Sequence, residues 1–473
     1  MFSFRKLKSV GHIVLKRFPA IARLVGAIIF FMKTKNHRPV ILPIEPITDS
    51  IEEAPTSGGK KMLYYDVSAI SSKNEARGIH RVVINILKHL LSDNNSGFQV
   101  VTVRSTKNGI VTCNVDECKG DYKFSLTGGA RVKVKPGDVF ISLDLYRKFN
   151  FSALQELRRE GLKVYFLIYD LLDIRRCCLG ESDLITRMVA WAARNSYNNW
   201  IHGVLSLSDG VVCDSHAVVN ELLGWLDTNA DNFQRRIRLG YFHLGADFRS
   251  SENTHHTISS EQSPVIYSAN NKPSFLMVGV MDPHKGHIQA IHAFEQLWCK
   301  DVNLIIVGKE GVLQPQIGKM IRKHTEYGQR LLWFGYVSDA ALASLYKECT
   351  ALLATSFSEG FGLPLIEAAH YGLPIIARDI PVFREVAGSY AYYFKNNNAS
   401  DIADAIVSWL SLSGQNKIPE SRGMPHLDWA SSTRQLLDVI INNRWCAYWP
   451  LGQGDSHSFI NKSTIVSTND NDR

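Results

Sequence analysis

Patterned cysteine is the first thing this 473-residue sequence lacks. Its eight cysteines fall at 113, 118, 177, 178, 213, 299, 349 and 446, without a C-x2-C pair, and Cys113 with Cys118 has no matching Cys/His pair nearby. The usual zinc spacings are therefore excluded, and a reducing cytoplasm fits better than a disulfide framework. A membrane-spanning run is also missing from the N-terminal part. Its apolar stretch, Leu24 to Met32, has nine residues, about half of the ~20 that a spanning helix needs. The body lacks a charge excess of either sign. The whole chain carries +8, but residues 1–40 hold nine Lys or Arg and no Asp or Glu, which leaves about −1 for the rest. A nucleic-acid-binding body is not indicated. No internal repeat or low-complexity region stands out, and 45% hydrophobic with 21% charged residues describes an ordinary globular chain of two or three domains.

What is present begins with residues 1–36, which alternate basic and apolar positions. A secretory signal would need an uninterrupted core, yet Lys16, Arg17 and Arg23 break it, and no small-x-small cleavage site follows Met32. The pattern predicts a basic amphipathic segment lying on an anionic membrane face through residues 1–38, with Phe18, Ile21, Leu24, Val25, Ile28 and Phe31 turned to the lipid. The plainer reading is a loose basic tail. Residues 37–61, rich in proline and ending in Ser-Gly-Gly-Lys-Lys, read as a linker.

The chain is organised around ALLATSFSEGFGLPLIEAAHYGLPIIARDIPVFRE, Ala351 to Glu385. Ala351 to Thr355 is apolar enough for a buried strand, Ser356 to Leu363 is turn-rich, and Pro364 suits the first position of a helix. Gly372 ends that helix in the left-handed conformation, and Leu373 to Ala377 start another strand. In an open parallel sheet the loop after a strand's carboxyl end faces the ligand crevice, so Glu359 points into a site. Glu367 lies near the same helix N-terminus, where the N–H groups of Phe361, Gly362 and Leu363 suit an anion. Glu359 and Glu367, an E-x7-E pair around GFGLP, resemble the signature of retaining family 4 glycosyltransferases. The resemblance covers most of residues 62–445. It implies the α/β fold called GT-B, two Rossmann-like domains facing across a cleft with a C-terminal helix crossing back to the first. It also implies a nucleotide-sugar donor as substrate, a saccharide or lipid-linked acceptor, no cofactor and no metal.

Taken in order, Met62 to Val67 reads as a strand, and Gly78-Ile79-His80-Arg81 opens a helix through Leu91. This is not a G-x-G-x-x-G loop. G-I-x-R here is similar to the first loop of many family 4 enzymes, which lines the cleft opposite the donor. Gly78 would allow close backbone approach, and Arg81 either meets a phosphate or acceptor group or is a surface charge. Gln99 to Arg104 and Asp138 to Leu143 read as strands. Leu162 to Asp170 is a continuous apolar run ending in a carboxylate. Asp170 resembles the Asp that ends this strand in polysaccharide-type relatives; capping the next helix explains it as well. Where those relatives commonly hold Pro and His, this chain has Asp173, Arg175, Arg176, Cys177 and Cys178. Leu184 to Leu205 is helical, with Trp191 and Trp200 read as core. Asp209 to Asp214 is a short strand, and Ser215 either caps the following helix or, by resemblance, faces the acceptor.

Asp282-Pro283-His284-Lys285-Gly286 follows the strand Ser274 to Val280 and resembles the family's diphosphate-binding turn. Lys285 stands at a helix entrance, where its charge and the dipole both attract a phosphate. His284 replaces an Arg common in relatives. Val337, in Gly335-Tyr336-Val337, is by resemblance a nucleobase contact. The boundaries follow: a first Rossmann-like acceptor domain at 62–247, a linker at 248–272, a donor-binding domain at 273–425, a crossover helix at 426–445 and a tail at 446–473. The reading is a metal-independent retaining hexosyltransferase, mannose first, of surface polysaccharide or lipopolysaccharide biosynthesis. It is placed in the cytoplasm, peripheral on the inner face of the cell membrane. By the resemblance, Glu359 and Lys285 carry the chemistry and Glu367 holds the ribose. The competing reading is a non-catalytic nucleotide-sugar-binding scaffold of a glycan-assembly complex.

Overall fold

The computed structural model describes residues 60–70, 78–92, 97–118, 121–124, 129–175, 184–229, 233, 235–246, 272–311 and 315–450. The basic segment at 1–36, the linker to residue 59, most of the linker at 248–272, Arg176, Cys177, Cys178 and the tail beyond 450 lie outside them.

The first sheet is built from β1 (Lys61–Asp66), β2 (Phe98–Thr106), β3 (Gly109–Thr112), β6 (Val139–Ser142), β7 (Lys163–Ile168), β8 (Gly210–Cys213), β9 (Ile237–Tyr241) and β16 (Ala447–Trp449). Their order is β16-β9-β8-β7-β6-β1-β2-β3, with both outer pairs antiparallel and the rest parallel. A small hairpin, β4 (Val115–Cys118) with β5 (Asp121–Phe124), stands apart. Strands such as β6 and β7 are buried almost throughout, because helices cover both faces of a parallel sheet. Helix α1 (Gly78–Ser92) packs on one face of this sheet, and α2 (Phe151–Arg159), α3 (Leu184–Leu207) and α4 (His216–Thr228) pack on the other.

The second sheet contains β10 (Ser274–Val278), β11 (Asn303–Val307), β12 (Leu331–Phe334), β13 (Ala351–Ala354), β14 (Ile375–Arg378) and β15 (Tyr392–Phe394). All its pairs are parallel, in the order β12-β11-β10-β13-β14-β15. Counted within the domain this is 3-2-1-4-5-6, the doubly wound order whose switch point lies between its first and fourth strands. The helices are α5 (His287–Leu297), α6 (Pro315–Lys323), α7 (Asp339–Glu348), α8 (Leu363–Tyr371), α9 (Pro381–Ala387) and α10 (Ala399–Ser413). Helix α11 (Trp429–Ile440) then crosses back and packs on α1, β8 and β9 of the first domain. Ser432 Oγ donates to the His243 carbonyl at 2.7 Å, and Gln435 Oε1 accepts from His243 N at 2.8 Å.

Three features differ from the sequence reading. The tail predicted from 446 starts later, because Ala447 and Trp449 turn inward on either side of Tyr448 and close the sheet edge as β16. Trp449 Nε1 also donates to Asp227 at 2.8 Å. Trp191, read as core, is 44% exposed, whereas Trp200 on the same helix is buried. Finally, β3 and the β4–β5 hairpin extend the first domain where no strand was read. Among the described residues no helix is long and apolar enough to cross a membrane.

Candidate active site

The loops after β10 and β13 leave adjacent strands at the switch point of the second sheet, so they must meet. Gly286, at φ 73° in the left-handed region, turns the first loop into α5. A side chain there would lie 2.6 Å from the Thr355 carbonyl; only glycine lets the two loops close. Thr355 Oγ1 donates to the Lys285 carbonyl and Phe357 N donates to the His284 carbonyl, both at 2.7 Å. With both backbones so tied, Lys285 Nζ reaches Glu359 Oε1 at 2.5 Å, and Ser356 Oγ donates to the same oxygen at 2.6 Å. The pair is largely buried, Lys285 at 20% and Glu359 at 13% side-chain exposure. Burial pushes the Glu359 pKa up, but Lys285, His284 and the two hydrogen bonds outweigh it, and the net direction is down. Glu359 is thus held as a carboxylate.

Gly362 (φ 90°) swings the chain into α8, which starts at Leu363 with Pro364 in its first turn and ends at Gly372 (φ 71°). Phe361 and Gly362 are buried at the entrance of that helix, and Leu363 is half-buried. Glu367, one turn further, is 3% exposed. Its Oε2 accepts from Tyr346 OH at 2.6 Å and its Oε1 from Arg81 Nη1 at 2.8 Å. Arg81 is therefore a cleft residue, and its reading as a surface charge is corrected. Burial lowers the Arg81 pKa, and the Glu367 and Asp339 charges more than restore it. At Gly78 a side chain would meet no described atom within 4 Å, so no protein contact demands glycine there.

Further bonds join the domains. Ser215 Oγ accepts from Val218 N, which caps α4 as one of its two readings had it, and donates to the Gly360 carbonyl at 2.6 Å. Glu385, on α9, accepts from His216 N and Ala217 N, each at 2.7 Å, and lies 2.8 Å from His243 Nε2. It occupies the positive end of α4 as a capping carboxylate would. Asp170 accepts from Leu172 N at 3.0 Å, a capping bond, and its charge adds to burial in pushing the Asp214 carboxyl well up. Asp214, 2% exposed, lies beside Gly360. Val337 is half-buried after β12, next to Tyr336 at 73% exposure. Ser356, Tyr346, Glu385 and His243 were absent from the sequence candidates. Only the S-x-x-E spacing of Ser356 and Glu359 offered a local signal.

Residues 259–423 match the family model described as glycosyl transferases group 1. That match spans the second sheet and its helices through α10. Over 387 residues the chain is 32% identical to the serotype-specific mannosyltransferase WbdA of Escherichia coli, covering 80% of this chain and 46% of that protein. Over 164 residues it is 33% identical to the O-antigen chain mannosyltransferase RfbU of Salmonella typhimurium, covering 32% of this chain and 45% of that one. The chain thus spans less than half the length of these relatives. Among solved structures, sucrose-phosphate synthase from Thermosynechococcus elongatus superposes with a TM-score of 0.56 at 15% identity, covering 81% of this chain and 99% of that one. The fold is GT-B, two parallel-sheet domains with α11 returning to the first.

Proposed function

We propose that the chain is a retaining glycosyltransferase that needs no metal. It moves a hexose, mannose first, from a nucleotide sugar to a saccharide or lipid-linked acceptor in surface polysaccharide biosynthesis. The observation that carries this is the Lys285–Glu359 pair at the switch point of the domain that matches the group 1 model. The names of the mannosyltransferase relatives support the sugar and the pathway class.

Departure of a nucleoside diphosphate develops negative charge at the phosphate and positive charge at the anomeric carbon. Lys285 has three N–H donors, so it can keep Glu359 and still donate to the β-phosphate. The N-terminus of α8, at Phe361 to Leu363, adds a fixed positive potential. Glu359, already ionised, accepts from the donor sugar's hydroxyls and favours the oxocarbenium-like centre. Its carboxylate is engaged by Lys285 and Ser356, which favours a front-face route in which the leaving phosphate takes the acceptor's proton. Each Glu367 oxygen keeps a lone pair beyond its present bond, so ribose hydroxyls can join Arg81 and Tyr346 there. His284 flanks the phosphate, Val337 meets the base, and Gly78 and Asp170 lie on the acceptor side, from which Arg81 reaches across to Glu367. Residues 1–38 would hold the protein on the anionic inner face of the cell membrane.

A thermal-shift screen of UDP-, GDP- and ADP-sugars tests the donor site through binding linkage. One nucleotide class should raise Tm in proportion to log concentration, and a flat response to all three contradicts the reading. Flotation with anionic vesicles, lost in high salt and on deleting residues 1–38, tests the membrane contact; salt-insensitive or absent flotation contradicts it.

A further inference from the structure

Beneath the Lys285–Glu359 pair, one group has no contact that accounts for it. His287, the first residue of α5, is 2% exposed, and among the described residues neither Nδ1 nor Nε2 has a hydrogen-bond partner. It lines the same narrow pocket as Lys285, Thr355, Ser356 and Glu359, at the carboxyl ends of β10 and β13. Burial, then the charges of Lys285 and His284, bring its pKa down to about 3. The ring is therefore neutral in ordinary buffers, with one N–H to give and one lone pair to offer. Leaving both unpaired in a folded interior is costly, and in native proteins such groups meet a water or a ligand. An apolar side chain would fill the space without that cost, so packing alone does not explain a histidine.

We propose that His287 is a positioning residue for the donor's diphosphate. Its ring N–H takes an oxygen that the bound diphosphate brings to this pocket, directly or through one water held between them. This rests on the donor site described under the proposed function. The neighbours select the ligand chemistry: the Lys285 ammonium, the Ser356 hydroxyl and the N-terminus of α5 all favour an anionic oxygen. The nucleobase contact proposed at Val337 follows β12, two strands away in the sheet.

Calorimetric titration of UDP, GDP and ADP, and of the matching monophosphates, into wild type, His287→Leu and His287→Asn tests it. If wild type binds none of the diphosphates, the donor-site reading fails and this one with it. If wild type binds, His287→Leu should weaken the diphosphate about 10-fold and leave the monophosphate within about twofold. Its ligand-free Tm should be unchanged or higher, since two unpaired polar atoms are gone, and His287→Asn should recover part of the affinity. Equal diphosphate affinity in His287→Leu and wild type overturns the proposal and leaves the donor site standing. A parallel loss for both phosphates with a lowered Tm also overturns it, as the mark of a packing defect. Should His287→Leu fold poorly, His287→Phe carries the same comparison.

Discussion

Arg81 and Glu367 are 286 positions apart in the chain and meet at 2.8 Å, each from a different domain. Glu367 is 4% exposed at its side chain and Arg81 32%, so the carboxylate bears most of the burial. Removing one partner of such a pair leaves a buried charge uncompensated. We predict that Arg81→Ala lowers stability by about 1–3 kcal/mol, because among the described residues only Tyr346 then bonds Glu367. Chemical denaturation of Arg81→Ala, Glu367→Gln and the double variant measures the coupling. Additive losses would show that the two groups do not act together.

Gly360 sets how closely the domains approach. A Cβ there would stand 2.1 Å from the Tyr169 carbonyl and 2.7 Å from Asp214 Oδ2, distances that real side chains do not reach. Gly360→Ala should therefore push the cleft open, also breaking the Ser215–Gly360 bond. Small-angle scattering should show a larger radius of gyration. Transfer should fall by about 10²-fold, while nucleotide affinity, which depends on the second domain, stays within about threefold. Unchanged scattering and activity would contradict this role.

At the switch point of the first sheet, burial and then the neighbouring Asp144 push Asp66 up to about 7, and burial pushes Asp144 up to about 6. Ser68 and Ser142 hydroxyls bond Asp66, and the N–H groups of Ala69 and Ile70 bond Asp144. The two acids thus pin the loop that leads from β1 toward the cleft. A carboxyl whose pKa rises on folding stabilises the fold fully below its unfolded value, 3.8 here, and that contribution is lost as pH climbs through the folded value. Stability should fall from about pH 4 to about pH 7, by on the order of 2–4 kcal/mol. In Asp66→Asn the same denaturation series should be flatter. A stability that rises over this window would reverse the sign and remove the explanation.

Much of the second domain could be read from its sequence because glycine and proline punctuate it. Gly286, Gly362 and Gly372 mark turns with positive φ, Pro364 marks the first turn of α8, and the short β-rich runs FLMV and LIIV, each followed by a glycine, are buried strands. Lys285 and Glu359 were legible through the resemblance of their motifs, and that their loops meet rests on β10 and β13, which are not consecutive in the chain, being neighbours in the sheet. The cross-domain bonds do not. Arg81 to Glu367 and Glu385 to the α4 N-terminus depend on how two sheets dock, which no local spacing encodes. His287 looks like an ordinary polar helix start until its burial is seen. The strand β16 is three residues long, too short for a period of two to stand out.

The most direct test is sugar transfer itself, with label followed from GDP-mannose, UDP-glucose and ADP-glucose into a lipid-linked saccharide fraction, for wild type and Glu359→Gln side by side. Wild type should transfer label from one donor class, release the nucleoside diphosphate and form an α-linkage from an α-donor. Glu359→Gln should lose about 10²–10³-fold of that rate with its fold intact by circular dichroism. Full transfer by Glu359→Gln, or an inverted linkage from wild type, would contradict the roles given to the Lys285–Glu359 pair.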